Sequence, residues 1–213
     1  MFIGHYAIAY VLIALVPGIP PIIPLLGVSF PDLLWPVLVI AGIEKVRVDP
    51  GSARQDALVF ESYPYSHSLV VGTLIAGIFG AGIAVLFGLP AGIVFVAASA
   101  SHWLLDTPVH LKDLPVLGFG PDKKTGAGLW RHGPAAFFIE LVFYGVITWL
   151  AAPAGTLVPL LLLGIVFHLV NANSFFGFTK KNPFRTPRAY AIVTFFALIA
   201  FCLIANLIIA GIH

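Results

Sequence analysis

A histidine and an aspartate four residues apart form the strongest chemical pattern in the sequence. His102 and Asp106 occur in the stretch SASHWLLDTPVH, which is otherwise largely apolar. On a helix, positions i and i+4 share one face, so both side chains can bind one metal ion. Inside a membrane, neither side chain can be left without a partner. The pattern therefore predicts a metal site, and the alternative is a His–Asp hydrogen bond that joins two helices.

Three more residues are candidate ligands for one or two divalent ions. His67 lies in YSHSLVVG, Asp32 follows a proline in FPDLLWP, and His5 lies in GHYAIAY. Each has a structural alternative: His67 as an interfacial helix cap, Asp32 as an N-cap, and His5 as an interfacial side chain. Imidazole and carboxylate ligands without a thiolate suit zinc first, with manganese or iron as alternatives.

Two charged residues near the start of the next apolar stretch are candidates for catalysis. Glu140 lies up to two helical turns inside that stretch and could act as a general base. Arg131 stands at its mouth, where a guanidinium suits a phosphate or carboxylate group. The alternative for Arg131 is an anchor at the membrane interface beside Trp130. His110 and His168 are interpreted as helix-packing or ligand-supporting residues, and His132 is left without a role.

The elements that position these residues must be membrane helices. The chain has 213 residues, of which 60% are hydrophobic and 9% are charged, whereas a soluble domain carries roughly 25% charged residues. Most of the surface must therefore face lipid, and we expect a single transmembrane domain over residues 1–213. The net charge of +2 is too small to indicate a nucleic-acid partner. Met1 to Pro17 is expected to be a retained first helix, since no basic residue precedes it.

Seven apolar stretches predict an all-α, polytopic helical bundle, because about 20 apolar residues cross a hydrocarbon core. The second stretch contains several prolines, so we expect it to be broken, with a helix restart near SFPD. Broken helices at membrane depth occur where they are buried in protein or line a cavity. The stretches are 3–17, 21–44, 66–87, 90–110, 133–152, 156–176 and 189–211.

The connections between these stretches are strongly asymmetric in charge. Three short turns carry no charge, while three longer loops and their edges hold all eleven lysine and arginine residues. By the positive-inside rule, the N-terminus and the long loops are cytoplasmic, and His213 is outside. The candidate site residues then all lie in the cytoplasmic half of a cell (inner or plasma) membrane. This distribution predicts one polar chamber that opens to the cytoplasm.

Four motifs in the order GHYAIAY, FPDLLWP, YSHSLVVG and SASHWLLDTPVH resemble the membrane-bound metal-dependent hydrolase family of bacterial inner-membrane proteins. The resemblance covers residues 1–110 and implies a multi-span protein with metal-dependent hydrolase activity. The residues that carry it are His5, Pro31-Asp32, Ser66-His67-Ser68, His102 and Leu105-Asp106.

The chain departs from the family at two places. Leu33 and Leu34 follow Asp32, where the family often has a second acidic residue. The residues before Ser66 are tyrosine and proline, where the family often has an arginine that could contact phosphate. Arg131 is the candidate substitute for that arginine.

We therefore expect a metal-dependent hydrolase in the membrane. A lipid-like or phosphate-containing ester is the expected substrate class, since the site would lie among lipid-facing helices. The first alternative is a transporter or channel for metal ions or protons, which the same His and Asp residues could serve. The second is a non-catalytic membrane scaffold. The lipid bilayer is the expected partner, and the sequence leaves the oligomeric state open.

Overall fold

The structure, a computed structural model, describes residues 1–211 and is mostly helical. Five helices are long and apolar enough to cross a membrane: Ile22–Ile40, Leu69–Phe87, Leu89–Val109, Leu129–Ala151, which includes a 3₁₀ turn at its start, and Pro187–Ala210. The helices Ile3–Leu15 and Leu157–Val170 are apolar but shorter. The all-α prediction is confirmed, while the prediction for His213 lies outside the described residues. The α-helices within residues 1–211 are α1 (Ile3–Leu15), α2 (Ile22–Ile40), α3 (Pro64–His67), α4 (Leu69–Phe87), α5 (Leu89–Val109), α6 (Gly133–Ala151), α7 (Leu157–Val170), α8 (Ala172–Phe176) and α9 (Pro187–Ala210).

The two ends of the bundle differ in the length of their connections. One end, here called the turn face, is formed by residues 16–21, 88 and 152–156. The other end, the loop face, is formed by residues 41–68, 110–132 and 171–186. The loop face also contains two antiparallel hairpins, β1 (Lys45–Arg47) with β2 (Val59–Ser62), and β3 (Leu114–Pro115) with β4 (Lys124–Thr125). Of the described lysines and arginines, all lie in loop-face segments or in the first turn of α9.

Helix α2 is continuous, so the prediction of a proline-broken second stretch is wrong. Pro31 and Pro36 both lie inside the helix. Each proline removes one helix hydrogen bond, which costs about 3 kcal/mol or more in a helix interior. Helix α2 packs against α1, α5 and α9, and this burial holds the helical path despite the prolines. Asp32 is consequently a mid-helix residue and does not cap a helix N-terminus.

Helix α5 is held closely between two neighbours, and this fixes the direction of its polar residues. A Cβ at Gly27 of α2 would lie 2.7 Å from the Cβ of Ala98 on α5. On the other side, a Cβ at Gly92 of α5 would lie 2.4 Å from the carbonyl oxygen of Gly80 on α4. Only glycine allows both approaches. The face of α5 that carries His102 and Asp106 is therefore buried inside the bundle.

Candidate metal centre

The α5 pair predicted from the sequence forms the centre of a polar cluster near the loop face. Nε2 of His102 lies 3.1 Å from Oδ2 of Asp106, and both residues are buried. Nδ1 of His102 lies 2.7 Å from the carbonyl oxygen of Val28 on α2. Since a carbonyl only accepts, Nδ1 carries a proton, and in the neutral ring Nε2 presents a lone pair. A second ring nitrogen fixed by a carbonyl is typical of histidines that bind metals.

A second imidazole, that of His67 at the end of α3, is fixed in a similar way. The Ser66 hydroxyl donates to Oε2 of Glu44 at 2.6 Å. The Ser66 oxygen then accepts from Nδ1 of His67, which lies 2.8 Å away. In the neutral ring, Nε2 of His67 is unprotonated, and it lies 3.1 Å from Oδ1 of Asp32 on α2. A lone pair that faces a carboxylate oxygen is repulsive unless a proton or a metal ion lies between the two atoms.

The first helix contributes a third imidazole. The ring of His5 stacks on the ring of His102, with centroids 3.7 Å apart and an interplanar angle of 7°. Nε2 of His5 lies 3.2 Å from Oδ1 of Asp106. The Met1 amine also contacts that oxygen. Among the described residues, both ring nitrogens of His5 and Nε2 of His102 are buried without a hydrogen-bond partner.

The donor atoms have the separations expected of ligands around one ion. In a tetrahedral site with bonds of about 2.0–2.1 Å, neighbouring ligand atoms lie about 3.3 Å apart. The observed separations between nitrogen and carboxylate oxygen run from 3.1 Å to 3.7 Å. Two overlapping groups each bring three donor atoms close together, and they share His102. The groups are His5, His102 and Asp106, and Asp32, His67 and His102.

All five predicted ligands therefore meet in one place, and the unpaired nitrogens fit a divalent cation. One lone pair on Nε2 of His102 can bind only one ion. The two overlapping groups consequently describe neighbouring positions around one shared nitrogen, and they do not describe two independent sites. Imidazole and carboxylate donors without a thiolate are compatible with zinc, manganese or iron.

Two residues near the cluster were missed or underestimated by sequence reasoning. His110 is buried, and its Nε2 lies 3.4 Å from Oδ2 of Asp106. Its spacing repeats the i, i+4 pattern of His102 and Asp106, so the sequence did contain a signal for it. Glu44 lies in a loop with no comparable pattern. Burial raises the pKa of the Glu44 carboxyl above its ordinary value, while hydrogen bonds from Ser66 and from the Tyr65 amide act in the opposite direction.

A cavity of about 360 Å³ lies beside the cluster. Helices α7, α8 and α9 supply much of its remaining wall, which is mainly apolar. Among the described residues, neither lysine nor arginine lines it. The titratable side chains Asp32, His67, Asp106, His110 and Glu140 form its polar wall, and Gln55, Asn171, Ser174 and Thr194 are further polar residues of the lining.

The two residues predicted for catalysis are placed differently. Glu140 is buried and lines the cavity. Its Oε1 accepts from the amides of Phe2 and Gly4, so this carboxylate also anchors the start of α1. Arg131 is exposed and lies outside the cavity wall, where its carbonyl accepts from the Arg54 guanidinium. The catalytic roles of Glu140 and Arg131 stay predictions.

The remaining histidines of the described chain lie away from the cluster. Nε2 of His168 donates to the carbonyl of Phe137 at 3.0 Å, and its ring stacks on the Phe137 ring at 4.1 Å. These contacts fit a helix-packing residue between α6 and α7. His132 is exposed at the loop face.

Comparison with known proteins gives no match, because no protein-family model, curated protein or solved structure matches the chain.

Proposed function

We propose that this protein is a metal-dependent hydrolase whose active site is the α5 cluster. One observation carries the proposal: the lone pairs of two buried imidazoles are directed by their own hydrogen bonds towards carboxylate oxygens. His102 is fixed by the Val28 carbonyl, and His67 is fixed through Ser66 by Glu44. Either a proton or a metal ion between nitrogen and oxygen satisfies this arrangement, and the unpaired nitrogens of His5 and His102 favour a metal ion. The cluster lies on the wall of a cavity large enough for part of a small molecule.

In this proposal, zinc is the first choice of metal, with manganese or iron as alternatives. His102 and Asp106 are its central ligands, and Asp32, His67 and His5 complete the donor set. When bound, the ion supplies Lewis-acid chemistry, since it polarises the scissile ester and makes the attacking water more acidic. Glu140 shares the cavity wall and is the nearest candidate general base, because it offers a carboxylate outside both ligand groups.

We further propose seven membrane spans, with the shorter helices α1 and α7 crossing beside the five long ones. Consecutive spans would alternate in direction, and every described lysine and arginine would then lie at the loop face. The positive-inside rule then supports a cytoplasmic loop face in a cell membrane, with the metal centre in the cytoplasmic half. The motif resemblance to the membrane-bound metal-dependent hydrolases supports the same arrangement, and membership of that family is part of the proposal.

Ion transport is the second candidate function, and the bundle beyond the cluster argues against it. Tyr10 and Tyr144 are fully buried between the cluster and the turn face, with ring centroids 6.3 Å apart. A path for ions needs polar groups and space at both depths. The scaffold alternative would explain the His–Asp contacts but would leave the unpaired nitrogens of His5 and His102 unexplained.

The test is elemental analysis of the detergent-purified protein together with assays on two water-soluble esters, bis(p-nitrophenyl) phosphate and p-nitrophenyl butyrate. We expect the wild type to retain stoichiometric metal and to hydrolyse at least one ester. The His102→Ala, Asp106→Ala variant should lose both properties. His168→Ala is the matched control, since it removes an equally buried imidazole outside the cluster and should keep the metal.

Three results would count against the proposal. A wild type without metal after mild purification removes its basis, as does a double variant with full metal content. Retained metal without hydrolysis of either ester, combined with uptake of zinc into sealed vesicles, would favour transport.

A further inference from the structure

The cavity beside the metal centre is open sideways, between α7 and α9. Three valines line the cavity and are at the same time exposed on the outside of the bundle: Val170 by 81%, Val166 by 54% and Val193 by 43%. A side chain that has both properties must lie at the rim of an opening. Val166 and Val170 belong to α7, and Val193 belongs to α9. The rim therefore follows two apolar helices.

This opening has a definite depth. Helices α7 and α9 touch through the rings of Phe167 and Phe201, whose centroids lie 5.1 Å apart. Val193 lies six residues from the start of α9, which is about 9 Å along the helix axis. The opening consequently lies in the loop-face part of the two helices, beside the Phe167–Phe201 contact.

The cavity has a polar wall formed by the cluster and a mainly apolar wall on the side of α7, α8 and α9, where Asn171, Ser174 and Thr194 are the polar exceptions. Asp32, His67 and Asp106 lie on the polar wall, while the valine rim opens towards lipid. A volume of about 360 Å³ is at the small end for ligand pockets. It can hold a head group and its ester but cannot enclose long acyl chains. Those chains would have to pass out through the rim.

We propose that the substrate is a membrane lipid ester that reaches the metal centre laterally from the bilayer, with its acyl chain in the slot between α7 and α9. The proposal rests on the proposed hydrolase function and names its substrate class. A soluble substrate would need no apolar rim at membrane depth. A lipid whose ester lies at head-group depth needs an apolar opening for its acyl chain and a polar wall for its head group, and this cavity has both.

The experiment uses the full chain, loaded with zinc and reconstituted into phosphatidylcholine vesicles. The probe is a phosphatidylethanolamine with a photoactivatable diazirine near the carbonyl of one acyl chain. Leu198 is the diagnostic position, because it lines the cavity but is only 2% exposed. Lipid that merely surrounds the bundle cannot reach it. We expect photolabelling of Leu198 in the wild type, mapped by peptide mass spectrometry.

Two paired variants make the test specific. Val170→Trp with Val193→Trp fills the rim and should reduce labelling of Leu198 roughly tenfold or more, which corresponds to at least about 1.4 kcal/mol. Val158→Trp with Leu203→Trp is the matched control on the same two helices. Val158 and Leu203 are exposed by 64% and 52% and lie outside the cavity wall. The control should label Leu198 like the wild type.

The outcomes separate this inference from the proposed function. Unlabelled Leu198 in zinc-loaded protein, or labelling that the rim variant leaves unchanged, overturns the lateral slot while the metal centre stands. If the wild type binds neither zinc, manganese nor iron, the proposed function fails on its own measurement. Equal loss of labelling in the rim and control variants would also overturn the slot, because the effect would not depend on the rim.

Discussion

The loop-face half and the turn-face half of this bundle both bury polar side chains, but those side chains differ in what they can bond to. In the turn-face half, the Tyr144 hydroxyl donates to the carbonyl of Leu160 at 2.5 Å. The Tyr10 hydroxyl lies 3.4 Å from the Tyr144 hydroxyl. In the loop-face half, His102 and Asp106 are equally buried, yet Nε2 of His102 has no hydrogen-bond partner.

The two sets of side chains differ in whether they can both donate and accept hydrogen bonds. A hydroxyl both donates and accepts, so a few tyrosines can satisfy one another and the backbone. A carboxylate only accepts, and an imidazole whose proton is already used elsewhere also only accepts. The Met1 amine supplies one donor to Asp106, yet among the described residues both ring nitrogens of His5 and Nε2 of His102 are buried without a partner. The turn-face tyrosines satisfy one another and the backbone, although the Thr148 hydroxyl of α6 has no partner in the described chain, whereas the loop-face half keeps three ring nitrogens that could bind a proton or a metal ion.

The strongest test of this contrast is His102→Ala, since His102 belongs to both ligand groups. We expect the variant to lose its bound metal, with a fall in affinity well beyond the 10–100-fold typical of residues that only support ligands. Elemental analysis after gel filtration measures this. His168→Ala removes an imidazole of equal burial that packs on Phe137, and it should retain the metal. Equal metal loss in both variants would mean that the metal does not depend on the cluster.

The second-largest expected effect is a loss of stability when the metal is removed. A ligand that binds only the folded state, held at about 1,000 times its Kd, adds about 4.1 kcal/mol of stability. For a chain of this size, 1 kcal/mol corresponds to roughly 2–4 °C in Tm. We expect chelation to lower the Tm of the wild type accordingly, as followed by circular dichroism in detergent. The His102→Ala variant is the control, and a response to chelation there would contradict the assignment.

The part of the site that lies on regular helices could be predicted from the sequence. His102 and Asp106 are related by the helical repeat, so their shared face follows from spacing alone. His5, His67 and Asp32 come from different helices, and only their common depth suggested that they meet. The role of Glu44 could not be predicted, because Glu44 lies in a loop and contacts His67 only through Ser66. No periodic sequence pattern relates residues placed in this way. His110 carried the right spacing but stands at the helix end, where a packing role was equally plausible.

The helices of the fold could be predicted from the sequence, but one detail of the prediction was wrong. The apolar stretches match the observed helices closely because length and hydropathy determine them. The expected break in α2 was wrong because local proline rules do not include packing, and α2 is enclosed by α1, α5 and α9. The sideways opening of the cavity also could not be predicted from the sequence, because it depends on the distance between α7 and α9.

Glu44→Gln tests whether the loop-face half depends on its supporting hydrogen bonds. A glutamine amide can donate to the Ser66 hydroxyl, which then turns its own proton towards His67. The favoured His67 tautomer would reverse, and its Nε2 would lose the lone pair. We expect metal affinity to fall about 10–100-fold, measured by competition with a chromophoric chelator. Glu61→Gln is the control, since Glu61 pairs only with Arg47 at the surface. An unchanged affinity would show that Ser66 does not set the tautomer.

The smallest expected effect comes from the turn-face half, where Tyr144→Phe removes one donor from the hydroxyl network. The Leu160 carbonyl keeps its helix bond, and Tyr10 loses one neighbour, so the cost should be about 1 kcal/mol and the Tm should fall by roughly 2–4 °C. Metal content should not change, because the substitution leaves all five ligands in place. Tyr65→Phe, at an exposed tyrosine of the loop face, is the matched control and should leave the Tm unaltered. Metal loss in Tyr144→Phe would instead indicate that the two halves are coupled, and the turn-face network would then be part of the site.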